Sequence, residues 1–373
     1  MSRLSILVLV FASSSSLTAR ADETPSLSLY GFARLDVLVD DSRMSDVAAP
    51  DVVMPEPANG QLDSEITMTP RLSRIGLSID QWRATDHTDG EGKLEVDFGG
   101  GNGSDAIRLR HAYGALLYRR RIELLAGHTW DLASPMFPSA QNDTQLRYAG
   151  NLGDRRPQVR LELLPTDRIR LGVAAAATGY LDRMDLDGDG QLDGFASGLP
   201  MLQWIAEYRE RVRGDQLIRF GVSGHAARTE LADGTRHAAS SINAHVFVPV
   251  EKKVMLLAEG YVGKNLADIG GGIGQGVDPT TMDSVHSKGG WVEAAVLPTS
   301  RHMLALGSSV DTASSGDVAT GARTSNRTFY GVLRYKPTSS LQLGLEYLNW
   351  RTRYKDIGDG VANRFDVHAS VLF

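Results

Sequence analysis

A run of carboxylates at alternating positions is the sharpest local motif of the sequence. Its oxygen-bearing residues are Asp185, Asp187, Asp189, Gln191 and Asp193. Glycines between them permit the sharp turn that lets several oxygens converge on a hard cation such as Ca²⁺. The twelfth position holds Ala196, where an EF-hand would need a bidentate Glu. The motif therefore predicts either a compact calcium loop or a solvated acidic loop.

A second chemically active group is a set of arginines that alternate with apolar residues. A guanidinium is always charged and weakly hydrated, so a wall of them favours carboxylate and phosphate groups. The arginines of this set are Arg34, Arg74, Arg108, Arg110, Arg160, Arg170, Arg209, Arg219 and Arg334. Acidic residues such as Glu95, Asp97 and Glu162 occupy matching positions. The pattern predicts either an anion-attracting face or charges that merely pair between neighbouring strands.

The sequence lacks the signatures of several other classes of protein. There is no cysteine among its 373 residues, which excludes disulfides, thiolate metal sites and cysteine nucleophiles. There is no G-x-S-x-G, H-E-x-x-H or G-x-x-x-x-G-K-[ST] motif, and the nine histidines show no ligand spacing. A formal charge of −6 provides no basic field for nucleic acid. We therefore expect neither an enzyme nor a nucleic-acid-binding protein.

The first 21 residues have the organisation of a secretory signal peptide. Arg3 gives a positive start, residues 4–12 form an apolar stretch, and Ala19-Arg20-Ala21 is an A-x-A cleavage site. The apolar stretch is too short for a transmembrane helix, which needs about 20 residues. We expect cleavage after Ala21, which leaves residues 22–373 as the mature chain.

Apolar and polar residues alternate from residue 27 to the C-terminus. In the first segment Leu35 and Val37 share one face, and Arg34 and Asp36 lie on the other. Period-two alternation of this kind predicts β-strands. Sixteen strands are expected, at residues 27–39, 65–81, 91–98, 106–118, 121–129, 157–165, 168–179, 201–210, 216–228, 239–249, 253–263, 288–297, 301–312, 325–336, 341–353 and 363–373.

The expected connections alternate between short and long. Those after even-numbered strands are tight, whereas those at 40–64, 130–156, 180–200 and 264–287 are long and polar. This alternation is typical of a transmembrane antiparallel β-barrel with short periplasmic turns and long extracellular loops. The fold class is therefore expected to be all-β, a barrel of about 16 strands with the arginines in its lumen. A soluble sandwich is the alternative.

The long loop at 130–156 follows the fifth expected strand. A loop of that length is usually functional or packed on something. Its acidic Asp131 and Asp143 could face the arginine wall, and the resulting transverse field would orient dipolar solutes. The alternative is a solvent-exposed lid. The excess of arginine in the first strands favours a mild preference for anions.

The last strand places apolar residues on one face up to a terminal aromatic. These residues are Phe365, Val367, Ala369, Val371 and Phe373. A strand of this kind resembles the C-terminal signal recognised by the barrel-assembly machinery of Gram-negative outer membranes. We therefore expect that machinery and outer-membrane lipid among the partners.

Five segments resemble the sixteen-stranded trimeric porins, and the DcaP-like group in particular. They read LSLYGFARLDVLVDD at 27–41, RLSRIGLSI at 71–79, GKLEVDF at 92–98, IRLRHAYGALL at 107–117 and LLAGHTWD at 124–131. The resemblance implies a homotrimer in the outer membrane of a Gram-negative bacterium. It also implies a general or anion-preferring diffusion channel for small hydrophilic solutes, with the third extracellular loop folded into the pore.

Two points qualify what this resemblance implies. DcaP-like porins carry a long helical N-terminal extension, whereas only about five residues separate Ala21 from the first expected strand. The alternative function is a barrel that binds a surface partner through its loops, as an adhesin or structural protein would.

Overall fold

The computed structural model describes residues 25–46, 48–56, 63–100, 106–141, 143–214 and 216–373, so the expected signal peptide lies outside the described residues. Seventeen strands run through these ranges. Their bounds are β1 Leu27–Asp40, β2 Glu65–Thr69, β3 Arg74–Thr85, β4 Thr88–Gly100, β5 Ala106–Tyr118, β6 Ile122–Trp130, β7 Arg155–Leu163, β8 Ile169–Ala176, β9 Met201–Arg213, β10 Gln216–Glu230, β11 Arg236–Glu251, β12 Val254–Lys264, β13 His286–Thr299, β14 His302–Ala313, β15 Arg323–Thr338, β16 Leu341–Tyr354 and β17 Gly360–Leu372. A short helix, α1, spans Asp193–Ala196. The described residues contain no helix long and apolar enough to cross a membrane.

The strands carry apolar side chains on the outside and polar side chains on the inside. In β8, Ile169, Leu171 and Val173 are exposed, whereas Arg170 between them is buried. A soluble protein would bury the apolar face. The inverted arrangement instead presents an apolar outer surface and encloses the charged side chains.

The sheet closes on itself, as a barrel requires. Except for β2 and β3, which both pair with β1, each strand pairs antiparallel with the next strand along the chain. β1 completes the ring by pairing with β17 from Phe32↔Leu372 to Asp40↔Arg364. The expected all-β antiparallel barrel is confirmed.

One expected strand, 65–81, is in fact two. β2 pairs with the end of β1 that runs from Asp36 to Asp40, and β3 pairs with its beginning. Pro70 lacks the N–H that a continuous ladder needs, and the chain turns there with Ser73 N–H bonded to Pro70 O. The Ser73 hydroxyl accepts from Arg34 N–H at 2.9 Å and donates to Arg34 O at 3.1 Å. β2 and β3 thus occupy a single strand position of the ring. Such a position is here called a stave, and the ring has sixteen staves.

The connections at the two ends of the barrel differ in length, as expected. One end carries the long loops 41–64, 131–154, 177–200 and 265–285, and the other carries short turns. The turn Tyr118–Arg121 is strained, because Arg119 and Arg120 have φ of 47° and 58°. Left-handed backbone at a side-chain-bearing residue costs roughly 1–2 kcal/mol.

A packed core lies inside the barrel. Leu146 and Ala149 of loop 131–154 are fully buried against Trp291 of β13 and Trp350 of β16. The indole N–H of Trp291 donates to Asn151 at 3.0 Å, so these large rings bury their polar atoms with a partner. The interior of the ring is therefore partly filled by its own loop.

Candidate functional site

Loop 131–154, which joins β6 to β7, is fixed at its base by a buried ion pair. Asp131 Oδ1 lies 2.8 Å from Arg156 Nε, and neither side chain is exposed. The Gln203 amide donates to the same oxygen at 2.6 Å. Asp131 therefore anchors the loop and does not face the expected arginine wall. The expectation failed because Arg156 belongs to β7, whereas the sequence pattern places it in the loop.

The middle of this loop is bonded to the opposite wall of the barrel. Ser139 N–H and its hydroxyl both donate to Glu293 of β13 at 2.7 Å. Gln141 N–H donates to Glu346 of β16 at 3.0 Å, and Arg334 of β15 donates to Ser139 O at 2.5 Å. These charged partners point into the barrel, so the loop lies across its interior.

The acidic tip of the loop meets the basic wall at one residue pair. Asp143 Oδ1 lies 2.5 Å from Arg108 Nη2 of β5. Arg108 also binds Asp97 of β4 at 2.7 Å. The loop therefore crosses from its base to the far wall and returns to a wall arginine.

Most arginines of the expected set pair with carboxylates on their own or a neighbouring strand. These pairs are Arg34 with Asp36, Arg74 with Glu95, Arg108 with Asp97, Arg110 with Glu95 and Asp97, Arg160 and Arg170 with Glu162, and Arg209 with Glu207. A paired guanidinium has little net charge at a distance. Local pairing, the second of the two readings of this pattern, therefore describes these residues.

Arg219 of β10 is not among these pairs. Its cross-strand partners are Arg209 on β9 and Phe247 on β11, and its guanidinium carbon lies 5.1 Å from the Phe247 ring centre. Among the described residues, no carboxylate oxygen lies within 4.0 Å of it. Arg219 is therefore a positive charge on the inner wall that makes no direct ion pair among the described residues.

Sequence reasoning missed an aromatic and basic group beside the loop base. The Arg155 guanidinium carbon lies 4.5 Å from the Trp130 ring centre, and Phe137 packs on the same indole at 4.4 Å. Arg155 Nη1 has no hydrogen-bond partner among the described residues. The alternation rule could not find these residues, because they fall at the junction of strand and loop.

Asp36, Asp366 and His368 form a buried cluster with ligand atoms within 4.8 Å of one another. The guanidinium of Arg34 lies within it, 3.1 Å from His368 Nδ1 and 3.6 Å from Asp366 Oδ2. The protein's own cation therefore partly neutralises the cluster, as Arg34 also binds Asp36.

The acidic motif of loop 177–200 folds as consecutive turns. Asp185, Asp187 and Asp193 bring carboxylate oxygens within 4.8 Å of one another, whereas Asp189 lies outside that group. Asp189 Oδ1 instead accepts Gln191 N–H at 2.7 Å. Calcium binding remains a prediction, with Asp185, Asp187 and Asp193 as its best-placed carboxylates.

If the motif binds calcium, Ca²⁺ should protect loop 177–200 from limited proteolysis, because the ion would hold three carboxylates together. Asp185→Asn with Asp193→Asn should abolish the protection. Asp189→Asn is the matched control and should retain it. Cleavage that proceeds equally with calcium and with chelator would leave a solvated acidic loop.

A carboxyl group near the base of the same loop is poised to titrate near neutrality. Burial and the neighbouring Asp268 raise the pKa of Asp182 to about 7. Asp268 accepts N–H bonds from Gly179 at 2.7 Å and Leu181 at 2.8 Å, so it ties this loop to loop 265–285. Ionised Asp182 would repel the carboxylate on which that contact depends.

Raising the pH should loosen the contact between these two loops. The folded-state pKa of about 7 lies above the ordinary 3.8, so the contact is most stable with Asp182 protonated and weakens as pH rises between those values. Hydrogen exchange at residues 179–184, corrected for intrinsic rates, should be faster at the higher pH. Asp182→Asn should remove the difference. An unchanged pH dependence in this variant would show that another group is responsible for it.

Comparison with known proteins gives structural matches only. No protein-family model and no curated protein matches the sequence. The outer-membrane channel DcaP of Acinetobacter baumannii has a TM-score of 0.76 at 17% identity, covering 94% of this chain and 97% of that chain. The anion-selective porin from Comamonas acidovorans has a TM-score of 0.60 at 12% identity, covering 94% and 100%. The trimer form of OmpT from Vibrio cholerae has a TM-score of 0.56 at 12% identity, covering 94% and 99%.

These similarities extend over nearly the full length of each chain, and they agree with the closed ring of sixteen staves. At such low identity they establish the fold and no more. The chain therefore has the fold of the outer-membrane porins and is similar in structure to the DcaP channel.

Proposed function

We propose that the protein is an outer-membrane porin, a water-filled diffusion channel for small hydrophilic solutes. The observation that carries this proposal is loop 131–154, which lies across the interior and is held there by Glu293, Glu346 and Arg334. A loop fixed in this way narrows the route through a barrel without closing its ends. A barrel that served only as a scaffold would not need a loop bonded to its opposite inner wall.

The solutes are proposed to be anionic. Arg219 supplies a positive charge on the inner wall that makes no direct ion pair among the described residues. A desolvated guanidinium lowers the free energy of a passing carboxylate or phosphate. The structurally similar Comamonas protein is described as an anion-selective porin, which supports the same preference for anions.

The proposed setting follows from the fold. The apolar outer face would contact outer-membrane lipid, and the strand that ends at Phe373 would be recognised by the barrel-assembly machinery. A homotrimer is proposed because a structurally similar protein is described in a trimer form.

Planar-bilayer recording with a salt gradient tests the proposal. Stable conductance steps with a reversal potential of the sign for anions are the expected result. Conductance steps with a reversal potential of the opposite sign would overturn the anionic solute class but not the proposal of a channel. Inserted protein that conducts no current would overturn the channel and favour the alternative, a surface-binding barrel that acts through its loops.

A further inference from the structure

The connections at the two ends of the barrel carry opposite charge. Among the described residues, the connections at the long-loop end contain twenty acidic and four basic side chains, and the short turns contain two acidic and seven basic. The seven basic residues, here named the turn rim, are Arg119, Arg120, Arg121, Arg168, Lys252, Lys253 and Arg301. They fall in four different turns, so positive charge is distributed around the circumference.

In one turn, arginines occupy backbone positions that other residue types adopt more readily. Arg121 N–H bonds to Tyr118 O at 2.9 Å and closes a β-turn. Both central residues, Arg119 and Arg120, have positive φ, which Asn and Gly adopt far more readily. Strain of this kind indicates that the side chains serve something other than the turn.

The strained turn lies directly beyond the apolar outer surface. Leu116, Tyr118, Ile122 and Leu124 are all 40–48% exposed on the outer face of β5 and β6. The Arg119 guanidinium carbon lies 5.3 Å from the Tyr118 ring centre. The guanidinium groups therefore begin at the level where the apolar belt ends, which is the level of lipid head groups.

The arginines of this turn remain available to a ligand. Arg120 lies 3.7 Å from Asp89 with 63% of its side chain exposed, and Arg121 lies 2.8 Å from an Asp167 that is 91% exposed. Exposed pairs of this kind contribute little and are easily exchanged. Within the described part of the chain, Arg119 has no carboxylate oxygen within 4.0 Å.

We propose that the turn rim binds the phosphate groups of anionic phospholipids in the adjoining leaflet, with Arg119 and Arg120 as its main contacts. A ring of positive charge continuous with an apolar belt fits an annulus of amphiphiles. A polymer or protein partner would need one localised patch instead. The proposal depends on insertion into a membrane but not on conduction, so it stands or fails separately from the proposed channel.

The test uses residues 22–373 in phosphatidylcholine nanodiscs that contain a minor fraction of spin-labelled phosphatidylglycerol. The variant Arg119→Asn with Arg120→Gly removes both charges and supplies the residues that the turn prefers, so folding should not suffer. We expect its relative association constant for phosphatidylglycerol over phosphatidylcholine to fall by roughly threefold or more. High salt should reduce the preference of the parent protein in the same way.

Arg119→Lys with Arg120→Lys is the matched control, because it keeps the charge and the strain. It should retain the preference for phosphatidylglycerol. A preference that survives in the Asn-Gly variant, or that disappears in the Lys-Lys variant, would overturn the proposal. Loss of binding to purified peptidoglycan in the Asn-Gly variant, with the lipid preference unchanged, would overturn it in favour of a cell-wall partner.

Discussion

Replacing two wall carboxylates, as Glu293→Ala with Glu346→Ala, should raise the single-channel conductance severalfold and make the open current noisy. The double variant leaves Ser139 N–H, Gln141 N–H and the Tyr330 hydroxyl without the acceptors they now have. Each unsatisfied buried donor costs about 1–3 kcal/mol. Loop 131–154 should then leave the wall for part of the time and widen the route. Planar-bilayer recording measures both effects.

Glu207→Ala is the matched control for this experiment. Glu207 is a buried wall carboxylate that binds Arg209 and His245 and makes no bond to the described residues of the loop. It should leave conductance and noise near the parent values. A second variant, Glu293→Gln, keeps an acceptor and should give a smaller change than the alanine. A folded double-alanine variant with parental conductance and noise would show that the loop does not limit the current.

Reversing the charge of Arg219 should lower the ratio of anion to cation permeability by at least about tenfold. Unit charges about 4 Å apart interact by about 1 kcal/mol in water, and a reversal changes the charge by two units. About 1.4 kcal/mol corresponds to a factor of ten. Arg219→Glu is preferable to changes at Arg108 or Arg110, because both of those bind the buried Asp97. The reversal potential under a salt gradient gives the ratio.

Arg168→Glu is the control for long-range effects of charge. Arg168 is exposed on a turn, 3.2 Å from Glu210 and 63% exposed, and it should leave the ratio nearly unchanged. Arg219→Gln should give an intermediate ratio. Equal reversal potentials for the parent, Arg219→Gln and Arg219→Glu would place Arg219 outside the ion path.

The fold could be predicted because its signal is local. Period-two alternation depends only on nearby residues, and the alternation of loop lengths then points to a barrel. The interrupted stave was not predicted, although Pro70 was visible in the sequence. Its continuity depends on the Ser73 hydroxyl, which replaces backbone groups in the contact with Arg34. Nothing in the alternation distinguishes such a side chain from an ordinary strand residue.

The sequence predicted which strand faces carry the charged residues of the site, but not how those residues pair. Alternation identified the arginines of the inner wall, but their counter-ions depend on register. Arg110, for example, reaches Glu95 and Asp97 on the preceding strand. Asp131 and Arg156 pair across the whole loop, which no local pattern records. Arg219 became distinctive only when its neighbours were known, because its sequence context resembles that of the paired arginines.

The pairing of β1 with β17 has a consequence for the order of assembly. Phe32 is opposite Leu372, at the other end of the chain, so this ladder cannot form before almost all of the protein has been synthesised. Contacts of such large sequence separation form late, because the entropy of closing the chain is lost before they stabilise it. Until they form, the sheet has two unpaired edges that can join another chain. Ring closure should therefore be the slow step, and the interval before it the period of greatest exposure to aggregation.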